Sequence, residues 1–264
     1  MAAMDQIVLF GDSLTQFSGD QSSGFAFKAA LEDAYVRKLD VLNRGFGGYN
    51  TNLALRVLPH LILPPSAGRI RLFILFLGAN DARLPGTPPI DQCVSLSEYI
   101  ENIKSILSHK ALSAHQPQFI LITPPPIDER LCKITDQEKG YSESRRSAAQ
   151  TATYAQAIRD IGKEKSIPVV DLWTSFLKEA GYSATWDGKS DLPGSSTLPV
   201  NDKLRELLSD GLHFTGQAYK VMFREVMKTI NEQLPELSPE RLRMVFPEWK
   251  DEAAWQTFDG PRKA

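Results

Sequence analysis

The chain has 264 residues, 42% of them hydrophobic and 23% charged, with a formal net charge of −2. That length can bury one sizeable core, and so small a net charge gives no general basic surface, which argues against a nucleic-acid partner. Apolar runs such as Leu72-Phe73-Ile74-Leu75-Phe76-Leu77 are far too short to cross a bilayer.

The amino end, Met1-Ala2-Ala3-Met4-Asp5, leads directly into an apolar strand without a cationic, apolar leader. The two cysteines, Cys93 and Cys132, fall in segments that read as loop or loop edge and form neither a disulfide framework nor a CxxC pair. A reducing, cytoplasmic setting is therefore the expectation, and a zinc site is not.

Five apolar, β-rich segments recur along the chain, at 6–10, 40–43, 70–77, 118–123 and 167–172. Helix-like periodicity occupies 25–38, 51–62, 97–109 and 145–165 between them, and 215–233 after the last. In the first helix Phe27, Leu31, Ala34 and Tyr35 share a face, while Lys28, Glu32 and Arg37 lie elsewhere. Strands alternating with helices imply parallel pairing through right-handed crossovers. The third strand is apolar on both faces, as a central strand between two helical layers must be. The expected class is α/β, a three-layer α/β/α sandwich on a five-stranded parallel sheet.

Two stretches depart from this alternation. The segment 181–202 is rich in Gly, Pro, Ser and Asp, and reads as either a surface insertion or a rim over the site. After residue 234, the prolines at 235, 239, 247 and 261 alternate with Phe246, Trp249, Trp255 and Phe258. So many large apolar groups argue for a tail, 235–264, that docks on the body (1–234) or on a second subunit in a homodimer.

The chemistry-bearing residues sit at strand ends, where ligands bind in open α/β sheets. The first strand runs into Gly11-Asp12-Ser13, the second into Asn43-Arg44-Gly45-Phe46-Gly47-Gly48, and the third into Gly78-Ala79-Asn80-Asp81. Near the carboxyl end stands Asp210-Gly211-Leu212-His213. Serine is a weak nucleophile until a base takes its proton. His213 can be that base, because an aspartate three residues earlier can hold one imidazole nitrogen and leave the other facing Ser13. His60, His109 and His115 read as surface or capping residues. Acyl transfer also needs donors aimed at the developing oxyanion. A glycine N–H of the Gly45/Gly47/Gly48 turn and the Asn80 side-chain amide are the candidates. If the strand order is 2-1-3-4-5, all of them meet beside the switch point. Asp12 reads as the organiser of the Ser13 turn through Asx-type hydrogen bonds. The GxSxG nucleophile elbow is absent, and Gly45-x-Gly47 lacks the third glycine of a dinucleotide fingerprint.

The blocks Gly11-Asp12-Ser13-Leu14, Gly45-Phe46-Gly47-Gly48, Gly78-Ala79-Asn80-Asp81 and Asp210-Gly211-Leu212-His213, in that order, resemble the SGNH hydrolases, or GDSL esterase/lipase family. Arg44-Gly45-Phe46, Phe76-Leu77-Gly78-Ala79-Asn80-Asp81-Ala82, Asp210-Gly211-Leu212-His213-Phe214 and Trp249-Lys250-Asp251 are similar to its isoamyl acetate-hydrolysing branch. The resemblance implies a flavodoxin-like sheet, and Ser13 as nucleophile with His213 as base and Asp210 orienting it. It implies an oxyanion hole from the N–H groups of Ser13 and Gly48 and the amide of Asn80, with no metal or organic cofactor. The implied substrate is a small ester of a short acyl group. Lysophospholipids, thioesters and acetylated sugars stay open as alternatives, as does an acyl-binding protein with a decayed site.

Overall fold

The computed structural model describes residues 4–182, 191–258 and 260. Strand β1 (Gln6–Gly11) runs into a single turn of helix, α1 (Ser13–Gln16), and then into α2 (Phe27–Ala34). Next come β2 (Asp40–Gly45), α3 (Thr51–Leu61) and β3 (Ile70–Phe76), followed by α4 (Leu96–Leu107), α5 (Lys110–Ser113) and β4 (Gln118–Ile122). The chain continues through α6 (Glu129–Glu138), α7 (Ala148–Lys165), β5 (Val169–Val170), α8 (Leu172–Glu179), α9 (Asp202–Leu207), α10 (Gly216–Gln233) and α11 (Glu252–Gln256).

The strands pair in the order 2-1-3-4-5, all parallel. Because successive side chains on a strand point to opposite faces, each central strand feeds two cores. Ile7 and Leu9 of β1 join Leu72, Ile74 and Phe76 of β3 under α2, α8 and α10. Val8 and Phe10 join Phe73 and Leu75 under α3, α4 and α7. The result is the expected α/β/α sandwich, with β1 and β3 neighbours and their crossovers leaving in opposite directions. That divergence opens the crevice at their carboxyl ends.

Several local expectations need correction. The fifth strand is only two residues long, because Asp171 turns the chain by capping α8 through the Thr174 N–H. Cys132 is buried within α6 and is not in a loop. His115 is 1% exposed, accepting from the Ile70 N–H at Nδ1 (2.9 Å) and bonding Leu63 O through Nε2 (2.8 Å). It is an interior link between chain segments, and no surface or capping residue. His109 does cap, accepting the Ala111 N–H that opens α5.

Of the segment 181–202, residues 183–190 lie outside the described residues. The rest of it is anchored: Glu129 N–H donates to Gly194 O at 2.7 Å, Ser196 N–H to Glu129 Oε2 at 2.8 Å, and Leu192 is buried. Beyond α10 the chain returns to α2. Tyr35 Oη donates to Leu237 O (2.7 Å), Lys38 Nζ to Pro239 O (2.8 Å), Arg37 Nη2 to Pro247 O (2.9 Å), and Val245 N–H to Arg37 O (2.9 Å). No helix among the described residues is long and apolar enough to cross a membrane.

Candidate active site

Gly11 ends β1 where there is no room for a side chain. A Cβ there would lie 2.4 Å from Phe76 O and 2.2 Å from Thr15 Oγ1. The requirement is close approach of neighbouring chain, since Gly11 is not among the residues with positive φ. Asp12 caps α1, its Oδ1 accepting the Leu14 N–H at 2.9 Å, the Asx turn expected of it. Ser13 is thereby the first residue of α1 and 7% exposed, and its N–H is one of those a helix start leaves without an internal acceptor.

On the other side of the crevice, residues 208–214 form a tight loop closed by a bridge between Leu208 and Phe214 and by the Ser209 N–H donating to His213 O at 2.8 Å. Asp210 turns back into this loop. Its Oδ1 accepts the N–H groups of Leu212 (3.1 Å) and His213 (2.8 Å), and its Oδ2 bonds His213 Nδ1 at 2.7 Å. The opposite ring nitrogen, Nε2, lies 2.9 Å from Ser13 Oγ. Phe17 braces the imidazole edge-on, with ring centroids 5.7 Å apart. Residues 200 positions apart in the chain therefore meet, and the three polar side chains form one continuous hydrogen-bonded series.

Charge at this relay is asymmetric. Burial pushes the Asp210 carboxyl up, but the ring and backbone N–H groups of His213 outweigh it and hold the group well below the usual carboxylate range. Asp210 is therefore an anion at neutral pH and can stabilise an imidazolium. Asp12 is the opposite case. Burial pushes it up to about 7 against the pull of the Leu14 N–H, with Asp81 adding to the rise. Asp81 itself is pushed up to about 6 by burial, although it accepts both the N–H (2.9 Å) and the Oγ1 hydroxyl (2.5 Å) of Thr51.

The remaining expected residues stand just past the ends of β2 and β3. Asn80 Nδ2 donates to Tyr49 O at 2.9 Å, which ties the tip of the third strand to the glycine turn. Within that turn, Gly45 N–H donates to Asn43 Oδ1 (2.9 Å) and Gly47 N–H to Gln16 Oε1 (2.7 Å). Gly48 has φ +80, a left-handed conformation that L side chains rarely take, and its carbonyl is held by Gln92 Nε2 at 2.6 Å. Among the described residues, no group of three or more His, Cys, Asp or Glu side chains is arranged to hold a metal ion.

Two neighbours of these groups do not stand out in the sequence. Arg146 donates from Nη1 to Ala79 O and from Nη2 to Asn80 Oδ1 (3.2 Å). Gln92 links Gly48 O to Arg83, whose Nη1 donates to Gln92 Oε1 at 2.6 Å. Each acts across a wide gap in the chain, and no local motif announces such a pairing.

Residues 9–221 match the model of the GDSL-like lipase/acylhydrolase family. The chain belongs to that family. It is 36% identical over 246 residues to a GDSL esterase/lipase of Arabidopsis thaliana, covering 92% of this chain and 91% of that one. It is 31% identical to the isoamyl acetate-hydrolyzing esterase of Saccharomyces cerevisiae, covering 94% of each chain. It is also 32% identical to the human isoamyl acetate-hydrolyzing esterase 1 homolog, covering 94% of this chain and 88% of that one. Among solved structures, a lipase/acylhydrolase from Enterococcus faecalis superposes with a TM-score of 0.58 at 22% identity, over 91% of this chain and 98% of that one, a likeness of fold. Family membership makes the protein a carboxylic ester hydrolase.

Proposed function

We propose that the protein is a serine esterase that cleaves short-chain, acetate-type esters through an acyl-enzyme on Ser13. The observation that carries the mechanism is the unbroken relay from Ser13 Oγ through His213 to the Asp210 carboxylate, at 2.9 and 2.7 Å. Ser13 Oγ attacks the ester carbonyl carbon as His213 Nε2 takes its proton. Asp210 fixes the ring tautomer and stabilises the cation. The tetrahedral intermediate collapses with cleavage of the bond to the alcohol oxygen, which leaves with the proton from Nε2. Water then adds to the acyl-enzyme, giving its proton to Nε2, and the carboxylic acid departs as Ser13 Oγ recovers that proton.

The oxyanion is held by the Ser13 N–H, the Gly48 N–H and the second N–H of the Asn80 amide. Gly48 is favoured over its neighbours because the N–H groups of Gly45 and Gly47 already have acceptors, while that of Gly48 has none among the described residues. Each such donor is typically worth ~3 kcal/mol of transition-state stabilisation.

The short acyl group is supported by the isoamyl acetate-hydrolyzing relatives, which match along nearly the whole chain. Steady-state kinetics on a p-nitrophenyl ester series tests both parts. Ser13→Ala is expected to abolish turnover, with wild-type kcat/KM falling as the acyl chain lengthens beyond a few carbons. Undiminished turnover by Ser13→Ala would refute the mechanism. A maximum on long acyl chains would refute the substrate class.

A further inference from the structure

Asn80 has a difficulty that its position alone does not solve. A side-chain amide can flip, and a flipped Asn80 would point a carbonyl oxygen at the developing oxyanion and repel it. Its Nδ2 bond to Tyr49 O favours the correct orientation but is a single contact with a backbone oxygen. The Arg146 guanidinium supplies what is missing. It carries N–H donors and no acceptor, so an amide nitrogen placed against it would be repelled, whereas Oδ1 is held. The same guanidinium grips Ala79 O, the carbonyl just before Asn80, and so fixes both the backbone and the side chain of one residue.

Arg146 is itself anchored by groups that touch neither Ser13 nor His213. The Leu84 N–H donates to Arg145 O at 2.9 Å, and Arg83 and Arg146 form an antiparallel bridge. Arg145 pairs with Asp136 and lies 4.2 Å over the Tyr141 ring, Gln150 Nε2 holds Arg83 O at 2.9 Å, and Ser147 caps α7. The guanidinium thus reaches Asn80 from the segment between α6 and α7, which is tied to residues 83 and 84.

Building on the esterase reading above, we infer that Arg146 is a positioning residue for the oxyanion hole, locking the Asn80 amide with its nitrogen toward the reacting carbonyl. It touches no reacting atom and acts through Asn80. Removing it leaves substrate binding intact and lets the amide sample the wrong orientation, so the loss falls on kcat.

A double-mutant cycle on p-nitrophenyl acetate separates this role from general support of the fold. Arg146→Ala is expected to lower kcat about 10- to 100-fold, as loss of a hydrogen-bond partner that orients a working group does, with KM changed less than about two-fold. Asn80→Ala is expected to lower kcat about 100-fold or more. The double variant should be no slower than Asn80→Ala alone, because without the amide the arginine has nothing to orient. Arg146→Lys, which keeps a charge to satisfy Ala79 O but lacks the planar fork, preserves folding and should still lose most of the kcat; the same cycle is run on it if Arg146→Ala does not fold. Multiplying losses in the double variant, or wild-type kcat in Arg146→Lys, would overturn the inference while inactive Ser13→Ala leaves the esterase reading standing. Full activity of Ser13→Ala would remove both.

Discussion

Two aspartates, Asp210 within the relay and Asp12 beside Ser13, are tuned in opposite directions, and stability against pH separates them. Asp210 has a folded-state pKa depressed by the His213 N–H groups, so its contribution is present above the unfolded carboxylate value and lost as pH falls through the folded one. Asp12 has its pKa raised to about 7, chiefly by burial. The native state therefore holds a proton that the unfolded chain has released between about pH 4 and 7, and stability falls across that window as pH rises. Asp12→Asn keeps the Oδ1 acceptor for the Leu14 N–H without the ionisation. Relative to wild type it should gain as pH rises from below about 4 to about 8, by up to ~4 kcal/mol over that span, read from urea midpoints at unchanged m. A difference that does not vary with pH would contradict the assignment. The sequence identified Asp12 as a turn organiser because an aspartate between glycine and serine has a local bonding habit; its ionisation depends on burial, which no local pattern encodes.

At the scale of elements, the site is a property of where strands stop. Gly11 allows β1 to end against Phe76 O and Thr15, so that α1 begins with Ser13 facing the crevice. Backbone cannot yield to a Cβ at 2.4 Å, so Gly11→Ala should displace α1. We expect a loss of about 2–4 kcal/mol in stability and at least ten-fold in kcat, measured by thermal melts and ester turnover. A stable, fully active variant would show that this close approach does not position the serine. The long strands and helices are legible because their apolar periodicity is strong, as in β3 and α10. Helix α6 is not, since it buries only Cys132 and Asp136 and offers no apolar stripe. Short α9 is not legible either, because six residues with two apolar positions carry no clear periodicity. Asn80 could be found at a strand tip, whereas Arg146 could not, because its partner lies 66 residues away.

Across the whole molecule, the relay joins residues 200 positions apart, so it exists only when the entire sandwich is closed. The segment after α10 contributes to that closure: Leu237 and Val245 are buried, and Tyr35 reaches Leu237 O from α2's end. Tyr35→Phe should cost about 1–2 kcal/mol by leaving that carbonyl unpaired, seen as a lowered urea midpoint, with kcat unchanged because the crevice is remote. A loss of activity without a loss of stability would mean that this contact serves the site. Trp249, 87% exposed, belongs to the same region, and its aromatic character was legible in the sequence although its setting was not. In the proposed mechanism Ser13 and His213 act as one reactive unit, and covalent labelling tests that most directly. Wild-type protein treated with an alkyl fluorophosphonate and mapped by peptide mass spectrometry should carry a single adduct on Ser13, with labelling abolished in His213→Ala. An adduct on another residue, or equal labelling of Ser13 without the imidazole, would contradict the account.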